Sequence, residues 1–189
     1  MAKTIAPAKS LSCSNIGIMR LAVLLTFLFM LSVAWATDYR PADDYAIQFA
    51  TEKAEGNFKG LEGTILFTPD DLNSSSFNVW VDASTINTGN KKKDKHALGE
   101  SWLDVEKHPK ISFVSSDFQK TATGYSVTGQ LSIRGISKQV SIPFTFEGNV
   151  FKGSTTVLRE DYGIEGPFLF GGLVGDEIAV RLRVPVVGE

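Results

Sequence analysis

The stretch VTGQLSIRGISKQVSIPFTFEG, residues 127–148, alternates apolar and polar side chains on both sides of Arg134 and Gly135. After this pair, every second residue from 140 to 146 is apolar. Because successive side chains of a strand point to opposite faces, the pattern predicts two strands, each with one apolar face. Such a face must be buried against helices, against another sheet or against the same sheet closed on itself.

Similar short patterns, separated by Gly, Asn, Asp and Pro, recur along the chain. Evenly spaced short strands with turn signals between them are typical of a sandwich or a barrel. We predict eight strands, at residues 45–51, 61–68, 77–83, 111–118, 125–133, 140–147, 151–158 and 177–187.

One segment has a helical pattern, residues 94–105, in which Leu98 and Trp102 lie four residues apart and so on one face. Gly99 weakens this helix, and two shorter helical pieces are an alternative. One short helix cannot cover eight strands. We therefore predict an all-β fold, an eight-stranded antiparallel barrel with one short helical segment. Pro143 cannot donate to a ladder, so we place it at a bulge or beside an incompletely paired seam.

The N-terminal part of the chain has the features of a secretory signal. Basic residues precede the apolar run 21–33, and Ala34, Trp35 and Ala36 follow it. We predict a signal peptide at residues 1–36, cleaved after Ala36, which starts at either Met1 or Met19. The alternative is an uncleaved anchor, although the run is shorter than the roughly 20 apolar residues that span a bilayer.

The remaining chain, residues 37–189, has the size of one domain, because 189 residues less 36 leaves 153. Cys13 lies in the predicted signal, so this domain has neither a disulfide nor thiol chemistry. It contains 16 basic and 21 acidic residues, a formal charge of −5. A mildly acidic surface argues against nucleic acid as a partner.

An eight-stranded barrel is just wide enough either to be filled by side chains or to hold one small ligand. Aromatic residues are frequent on the predicted inner face and could simply pack together. The residues alone leave a filled core and an open apolar cavity as alternatives. The phenylalanines predicted to point inward are Phe49, Phe67, Phe77, Phe113, Phe144 and Phe146.

Three segments resemble motifs of the YceI family. ASTINTG (83–89), followed by KDKHALGESWLDVEKHPKISF (93–113), is similar to that family's turn, helix and strand approach. Residues 129–140 resemble its hairpin, and LREDYGI (158–164) resembles its Arg-x-Asp-Phe-Gly-Ile segment. Lys93, Ala97 and His108 depart from the Arg, Leu and Tyr that are usual in the family.

The resemblance implies a lipocalin-like barrel, exported to the bacterial periplasm, whose long apolar pocket holds a polyisoprenoid or a similar lipid chain. Ala97 is smaller than the usual leucine, so we expect it to enlarge or re-route the space beneath the helix and thereby to affect which lipid is bound. We expect the following inward-facing residues to contact the lipid: Phe49, Ile65, Phe67, Phe77, Val79, Val81, Trp102, Phe113, Leu131, Ile133, Ile142, Phe144, Phe146, Phe168 and Phe170.

The connection GPFLFGGLVGD, residues 166–176, is unusually apolar for a loop. Phe168, Leu169 and Phe170 could plug one end of the barrel, form a lid over a pocket mouth, or touch a membrane. These three interpretations remain open at the level of sequence.

Motifs for metal binding and catalysis are absent from the sequence. His96 and His108, with Asp94 and Glu106, fit no strong metal-ligand spacing, and we predict no metal site. The lysine-rich run 91–95 is interpreted as a solvated loop, or as a contact for a lipid phosphate if it borders the pocket. No nucleophile elbow, HExxH motif or phosphate loop occurs, so we predict no enzyme activity and no catalytic residues.

The expected function is that of a periplasmic or secreted carrier of a long apolar chain, such as a polyisoprenoid or an isoprenoid quinone. No cofactor is expected apart from this non-covalent lipid, and no stable membrane insertion after signal cleavage. A homodimer is left open. The alternatives are a ligand-free envelope adaptor or stress-related barrel and, as a lesser alternative, an enzyme that acts on a bound lipid.

Overall fold

The computed structural model describes residues 37–164 and 176–188 of the chain. This part contains nine strands, one α-helix and two short 3-10 turns, Leu72–Ser74 and Glu160–Tyr162. The strands are β1 (Thr37–Pro41), β2 (Ala46–Ala50), β3 (Glu55–Phe67), β4 (Ser76–Asn87), β5 (Lys110–Thr121), β6 (Gly124–Ile133), β7 (Ile136–Glu147), β8 (Val150–Leu158) and β9 (Glu177–Gly188), and the helix is α1 (Lys91–Leu98).

The strands form one antiparallel meander that closes into a barrel. Each strand from β3 to β9 pairs with the next, and the circle is completed because β1 and β2 both pair with β3 and with β9. The two short strands therefore share one position, and the nine strands make the eight-stranded barrel predicted from the sequence. The segment β1 is missing from that prediction because it is only five residues long and includes a proline.

Two tight turns, one before β7 and one after it, set the register of the two hairpins that β7 forms with β6 and with β8. Ile133 pairs with Ile136, which leaves Arg134 and Gly135 as a two-residue turn, with φ angles of 53° and 75°. Two central residues with positive φ define the hairpin turn whose twist matches that of the strands. Gly148 and Asn149 repeat this geometry between β7 and β8, with φ angles of 57° and 59°.

The sheet opens between β7 and β8. Their pairing extends only from Glu147↔Val150 to Phe144↔Gly153. Pro143 is the next residue along β7, so it lies where pairing with β8 has ended, while β6 still pairs with it through Ser126. The prediction that Pro143 lies beside an incompletely paired seam is confirmed.

Helix α1 occupies residues earlier than predicted. It begins after Asn90, whose side chain accepts hydrogen bonds from the backbone N–H groups of Lys92 and Lys93, and it ends at Leu98. Gly99 takes an extended conformation at the C-terminus and is followed by a series of turns. The prediction of one short helical segment is confirmed, but its bounds of 94–105, with Leu98 and Trp102 on one face, were wrong, and residues 91–95 are helix rather than loop.

Two apolar clusters lie toward opposite ends of the barrel, and only the first of them fills its end. One end holds the aromatic plug, in which the ring of Phe67 lies 5.1–6.3 Å, centroid to centroid, from six other rings. The other end holds the cap cluster, which lies near the turns that follow α1 and near the Glu160–Tyr162 turn. The plug consists of Phe67, Phe77, Phe118, Tyr125, Phe144, Phe146 and Phe151, and the cap cluster of Leu103, Ile133, Val157, Tyr162 and Ile164.

Candidate functional site: the barrel interior

A cavity of about 1060 Å³ lies inside the barrel between the two clusters. Its wall is built from inward-facing side chains of the strands, since alternate residues of a strand share a face. On β9, for example, Ile178, Val180, Leu182 and Val184 all line the cavity. The barrel is thus filled at one end and hollow in the middle, which the residues alone left open.

Most of the residues predicted to contact a ligand lie on this wall. Whether they contact a lipid stays a prediction, but their position around one cavity is what that prediction requires. The eleven residues on the wall are Phe49, Ile65, Phe77, Val79, Val81, Trp102, Phe113, Leu131, Ile133, Ile142 and Phe144.

Four other predicted residues are not on the described wall. Phe67 and Phe146 do not line the cavity, because they pack within the aromatic plug, so their placement on its wall is corrected, while contact with a lipid stays a prediction. Phe168 and Phe170 lie outside the described residues, as does most of the apolar connection 166–176.

Several wall residues were missing from the sequence prediction. They include Phe58, Ile86, Phe151 and the apolar residues of β9. The alternation along β9 is a signal that could have found the last group, because the same pattern identified the strand. Phe58 gave no such signal, since the predicted strand began only at residue 61 whereas β3 begins at Glu55.

Three rings of the aromatic plug, Phe77, Phe144 and Phe151, also line the cavity and form its floor. Their ring centroids lie 5.5–5.9 Å from one another. Phe67 lies behind them with 0% of its surface exposed. The pair Phe77 and Phe151 is edge-to-face and the other two pairs are tilted. Aromatic contacts at such distances are favourable, so this end of the cavity is closed by packed side chains.

The opposite end of the cavity is polar. Four lysines line it where α1 approaches the turn between β2 and β3: Lys53, Lys92, Lys93 and Lys95. The Nζ atom of Lys93 donates to the carbonyl oxygen of Lys53 at 3.0 Å, which joins the two sides of this mouth. Among the described residues, Glu100 is the one acidic side chain on the cavity wall. This lysine rim is therefore cationic in a chain whose formal net charge is −2.

Hydrogen bonds to the end of β4 hold helix α1 beside the mouth. The carboxylate of Asp94 accepts from the hydroxyl of Thr88 at 2.6 Å and from its backbone N–H at 2.8 Å. Both bonds favour the ionised carboxylate, and they lower the pKa of Asp94 below its usual value. Asp94 thus bonds to the barrel and is not among the residues of the cavity wall.

Two arginines hold the chain segments around the cap cluster. Arg134 donates to the carbonyl oxygen of Gly163 and, at 2.8 Å, to that of Glu100, so it joins two separate connections. Arg159, only 6% exposed, donates to the carbonyl oxygen of Ile164 at 2.7 Å and to the carboxylate of Asp176 at 2.8 Å. Charge-assisted bonds of this kind are among the stronger hydrogen bonds in proteins.

The described residues show no arrangement typical of a metal centre. No group of three or more His, Cys, Asp or Glu side chains is gathered in residues 37–164 and 176–188. His96 lies on the cavity wall, whereas the imidazole of His108 packs close to Gly135. Over the same residues, no helix has the length and apolar character needed to cross a membrane.

The closed meander, the packed floor and the hollow apolar interior define a lipocalin-like class of small β-barrels. Residues 41–186 match the model of the YceI-like domain, and the chain belongs to this family. The resemblance seen in the sequence is therefore confirmed.

Curated relatives of the chain are proteins of the UPF0312 group. One from Pseudomonas savastanoi pv. phaseolicola is 32% identical over 123 residues, which cover 59% of this chain and 64% of that protein. One from Yersinia pestis is 32% identical over 96 residues, or 50% of each chain. The chain thus spans about half to two thirds of the length of these relatives.

Solved structures show the same fold. BcnA of Burkholderia cenocepacia superposes with a TM-score of 0.69 at 25% identity, covering 76% of this chain and 96% of BcnA. A Saccharophagus degradans domain described as polyisoprenoid binding and implicated in plant cell wall breakdown has a TM-score of 0.59 at 11% identity, covering 82% and 99%. At 11% identity the second likeness concerns the fold alone.

Proposed function

We propose that this protein binds one long apolar chain non-covalently inside its barrel. The observation that carries the proposal is the cavity of about 1060 Å³, apolar along its wall, closed by aromatic rings at one end and bordered by lysines at the other. Each methylene group moved from water to such a wall contributes about 0.8 kcal/mol, so a long chain binds firmly with few polar contacts.

The ligand is a polyisoprenoid or a related lipid such as an isoprenoid quinone. Supporting this choice, the chain belongs to the YceI-like family and shares its fold with the polyisoprenoid binding domain from Saccharophagus degradans.

The polar end of the lipid lies at the lysine rim and carries negative charge. Lys92, Lys93 and Lys95 of one helix border the same opening as Lys53. A phosphate or diphosphate at this position would find several cationic partners, and one acidic neighbour among the described residues, Glu100. Since the rim is exposed to solvent, each ion pair contributes only about 0.2–1 kcal/mol.

In the cell, the protein acts as a carrier or buffer of this lipid rather than as an enzyme. The titratable side chains on the described wall belong to its mouth end, and the wall below them is mainly apolar. A catalytic role inside the cavity would need polar groups at the reacting atoms. Export to the periplasm, with residues 1–36 as a signal peptide, is part of this proposal, and a homodimer stays a prediction.

The first test of the proposal is native mass spectrometry of the protein purified from its own host, followed by solvent extraction of the ligand. We expect an adduct whose extracted mass corresponds to a long-chain lipid. Val81→Asp places a charge on the apolar wall and should abolish the adduct. Asn78→Asp, on the outer face of the same strand, is the matched control and should retain it. A wild-type protein that carries no lipid and binds none when it is added would refute the proposal.

The second test concerns the charge of the head group. A prenyl phosphate and the prenyl alcohol of the same length are compared by isothermal titration calorimetry. Changing Lys92 and Lys95 together to Gln should weaken phosphate binding about 2- to 30-fold, from two pairs at 0.2–1 kcal/mol each, and leave alcohol binding unchanged. Changing Lys120 and Lys152 to Gln alters the net charge equally at the far end of the barrel. Equal losses for the two ligands, or for the two variants, would contradict an anionic head at the rim.

A further inference from the structure

The closed end of the cavity has two layers. Phe77, Phe144 and Phe151 face the cavity, whereas Phe67 and Phe146 lie behind them without reaching the wall. The ring centroids of Phe146 and Phe151 are 4.4 Å apart, and those of Phe77 and Phe151 are 5.5 Å apart. Rings in contact on several sides cannot move aside without opening a void in the plug, so the floor has a fixed height.

The floor and the mouth define a depth. On β4, Phe77 lies at the floor and Ile86 near the mouth, and both line the cavity. Because β4 is irregular between Asp82 and Asn87, the distance is counted on its partner β3, where Ile65 pairs with Phe77 and Phe58 lies opposite the end of β4. Those seven residues (65 − 58) correspond to about 23 Å along a strand, and a strand tilt of about 35–45° gives a depth of about 16–19 Å along the barrel axis.

We propose that the aromatic floor sets the length of the chain that the cavity accepts, with Phe77 as a length-determining residue. This inference rests on the proposed function, because a gauge of length requires a chain in the cavity and a head group at the mouth. Phe77 is suited to the role since it begins its strand at the floor and lines the cavity, while its ring also packs against Phe67 and Phe118.

The physical consequence is a limit to the gain in affinity with length. While the chain end lies above the floor, each added methylene is buried and tightens binding about fourfold. Once the chain end meets the rings, further methylenes must either overpack the plug or push the head group out of the mouth, and both are unfavourable. Affinity should therefore rise with chain length and then level off.

The test uses straight-chain monoalkyl phosphates of increasing length, below their micelle concentrations, in competition with a fluorescent fatty-chain probe. For the wild type we expect affinity to rise and then to reach a plateau at one length. Phe77→Ala removes six ring carbons, so its plateau should move to chains longer by up to about six methylenes. Phe146→Ala removes the same ring behind the floor and should leave the plateau where it is.

A second variant should shorten the chain that the cavity accepts. Val79 lies two residues closer to the mouth than Phe77 on the same inner face, and Val79→Phe should raise the floor and move the plateau to shorter chains. If Phe77→Ala does not fold, as near-UV circular dichroism would show, Val79→Phe decides the question alone. A folded variant at either position whose plateau coincides with that of the wild type would refute the proposal that the floor sets the chain length.

The two proposals fail in different ways. If the wild type binds no alkyl phosphate and no prenyl lipid at any length, the proposed function fails. If it binds chains and reaches a plateau that neither floor variant displaces, the proposed function stands and the gauge alone is refuted. If affinity continues to rise at the longest chains, the cavity is not closed to ligands at the aromatic plug, and the gauge is again refuted.

Discussion

Replacing Phe67 by Ala should destabilise the barrel strongly, because this ring lies at the centre of the aromatic plug. Its side chain is fully buried and its centroid lies within 6.3 Å of six other rings. Removing a buried Phe side chain costs about 3–5 kcal/mol through lost burial and the void that is left. Since each aromatic pair adds about 0.5–1.5 kcal/mol beyond burial, we expect a loss near the upper end of that range.

Phe49→Ala, on the cavity wall, is the matched comparison for the loss of stability in Phe67→Ala. The ring of Phe49 borders space that is already empty, and Phe58 is its aromatic neighbour at 5.4 Å. Its removal enlarges an existing cavity, and the contacts that it loses include those with Phe58 and with the backbone at Gly56. Full burial of such a side chain contributes about 1.5–3 kcal/mol, and Phe49 is only partly buried, so the loss should be below about 2 kcal/mol.

Urea unfolding, followed by tryptophan fluorescence, measures both changes. With a slope of about 2 kcal/mol per molar urea, the Phe67→Ala midpoint should fall by about 1.5–2.5 M, and that of Phe49→Ala by less than about 1 M. The slopes should match that of the wild type. A Phe67→Ala loss below about 1 kcal/mol, or one smaller than that of Phe49→Ala, would refute the division of the barrel into a packed end and a hollow middle.

Three further predictions concern the mouth end. Arg134→Lys should lower the free energy of unfolding by about 1.5–3 kcal/mol in urea titrations, because one ammonium group cannot hold the carbonyl oxygens of both Gly163 and Glu100; a loss equal to zero contradicts that bridging role. Asn90→Ala should cost about 1 kcal/mol by removal of the α1 N-cap, whereas Asn90→Asp should cost less. Burial raises the pKa of Tyr162 to about 12, with a smaller contribution from Asp161. The unfolded chain then ionises first, so this part of the stability is present below pH 10 and is lost as the pH rises toward 12; Tyr162→Phe should flatten that alkaline decline in thermal melts.

The barrel could be predicted from the sequence because short stretches of the chain specify its strands and turns. Alternation over 127–148 specifies two faces, and the pair Arg134 and Gly135 specifies the turn between the strands. Closure into a barrel was predicted because the alternative, a sheet covered by helices, was excluded: one short helix cannot cover eight strands. The five-residue β1 carried too little pattern to be recognised beside the turn signals around it.

The position of α1 was harder to predict for a physical reason. Its residues are mainly charged, and none of its side chains is buried, so no apolar periodicity marks where it lies. Its beginning is set by Asn90, and by Asp94 bonding back to Thr88. A search for an N-cap residue before the lysine run would have found the beginning, and Gly99 would then have given the end.

Alternation also limits what can be said about the cavity. A period of two assigns a residue to the inner face, but it gives no height along the barrel axis. Phe67 and Phe146 were therefore grouped with the wall residues, although they lie behind the floor. Height depends on which strand ends come together, and that depends on pairing between segments far apart in the chain.

The shared strand position of β1 and β2 also bears on how the barrel folds. Tyr39 pairs with Gly188, across 149 intervening steps of the chain (188 − 39), so closure joins the segments most distant in sequence. Such a high contact order predicts slow folding, in milliseconds to seconds. Until β9 is available, the partly formed sheet has two unpaired edges, which are prone to aggregate. During synthesis, this domain can therefore form only local hairpins. Its need for a chaperone is greatest before β9 has been made, and it falls once the barrel can close.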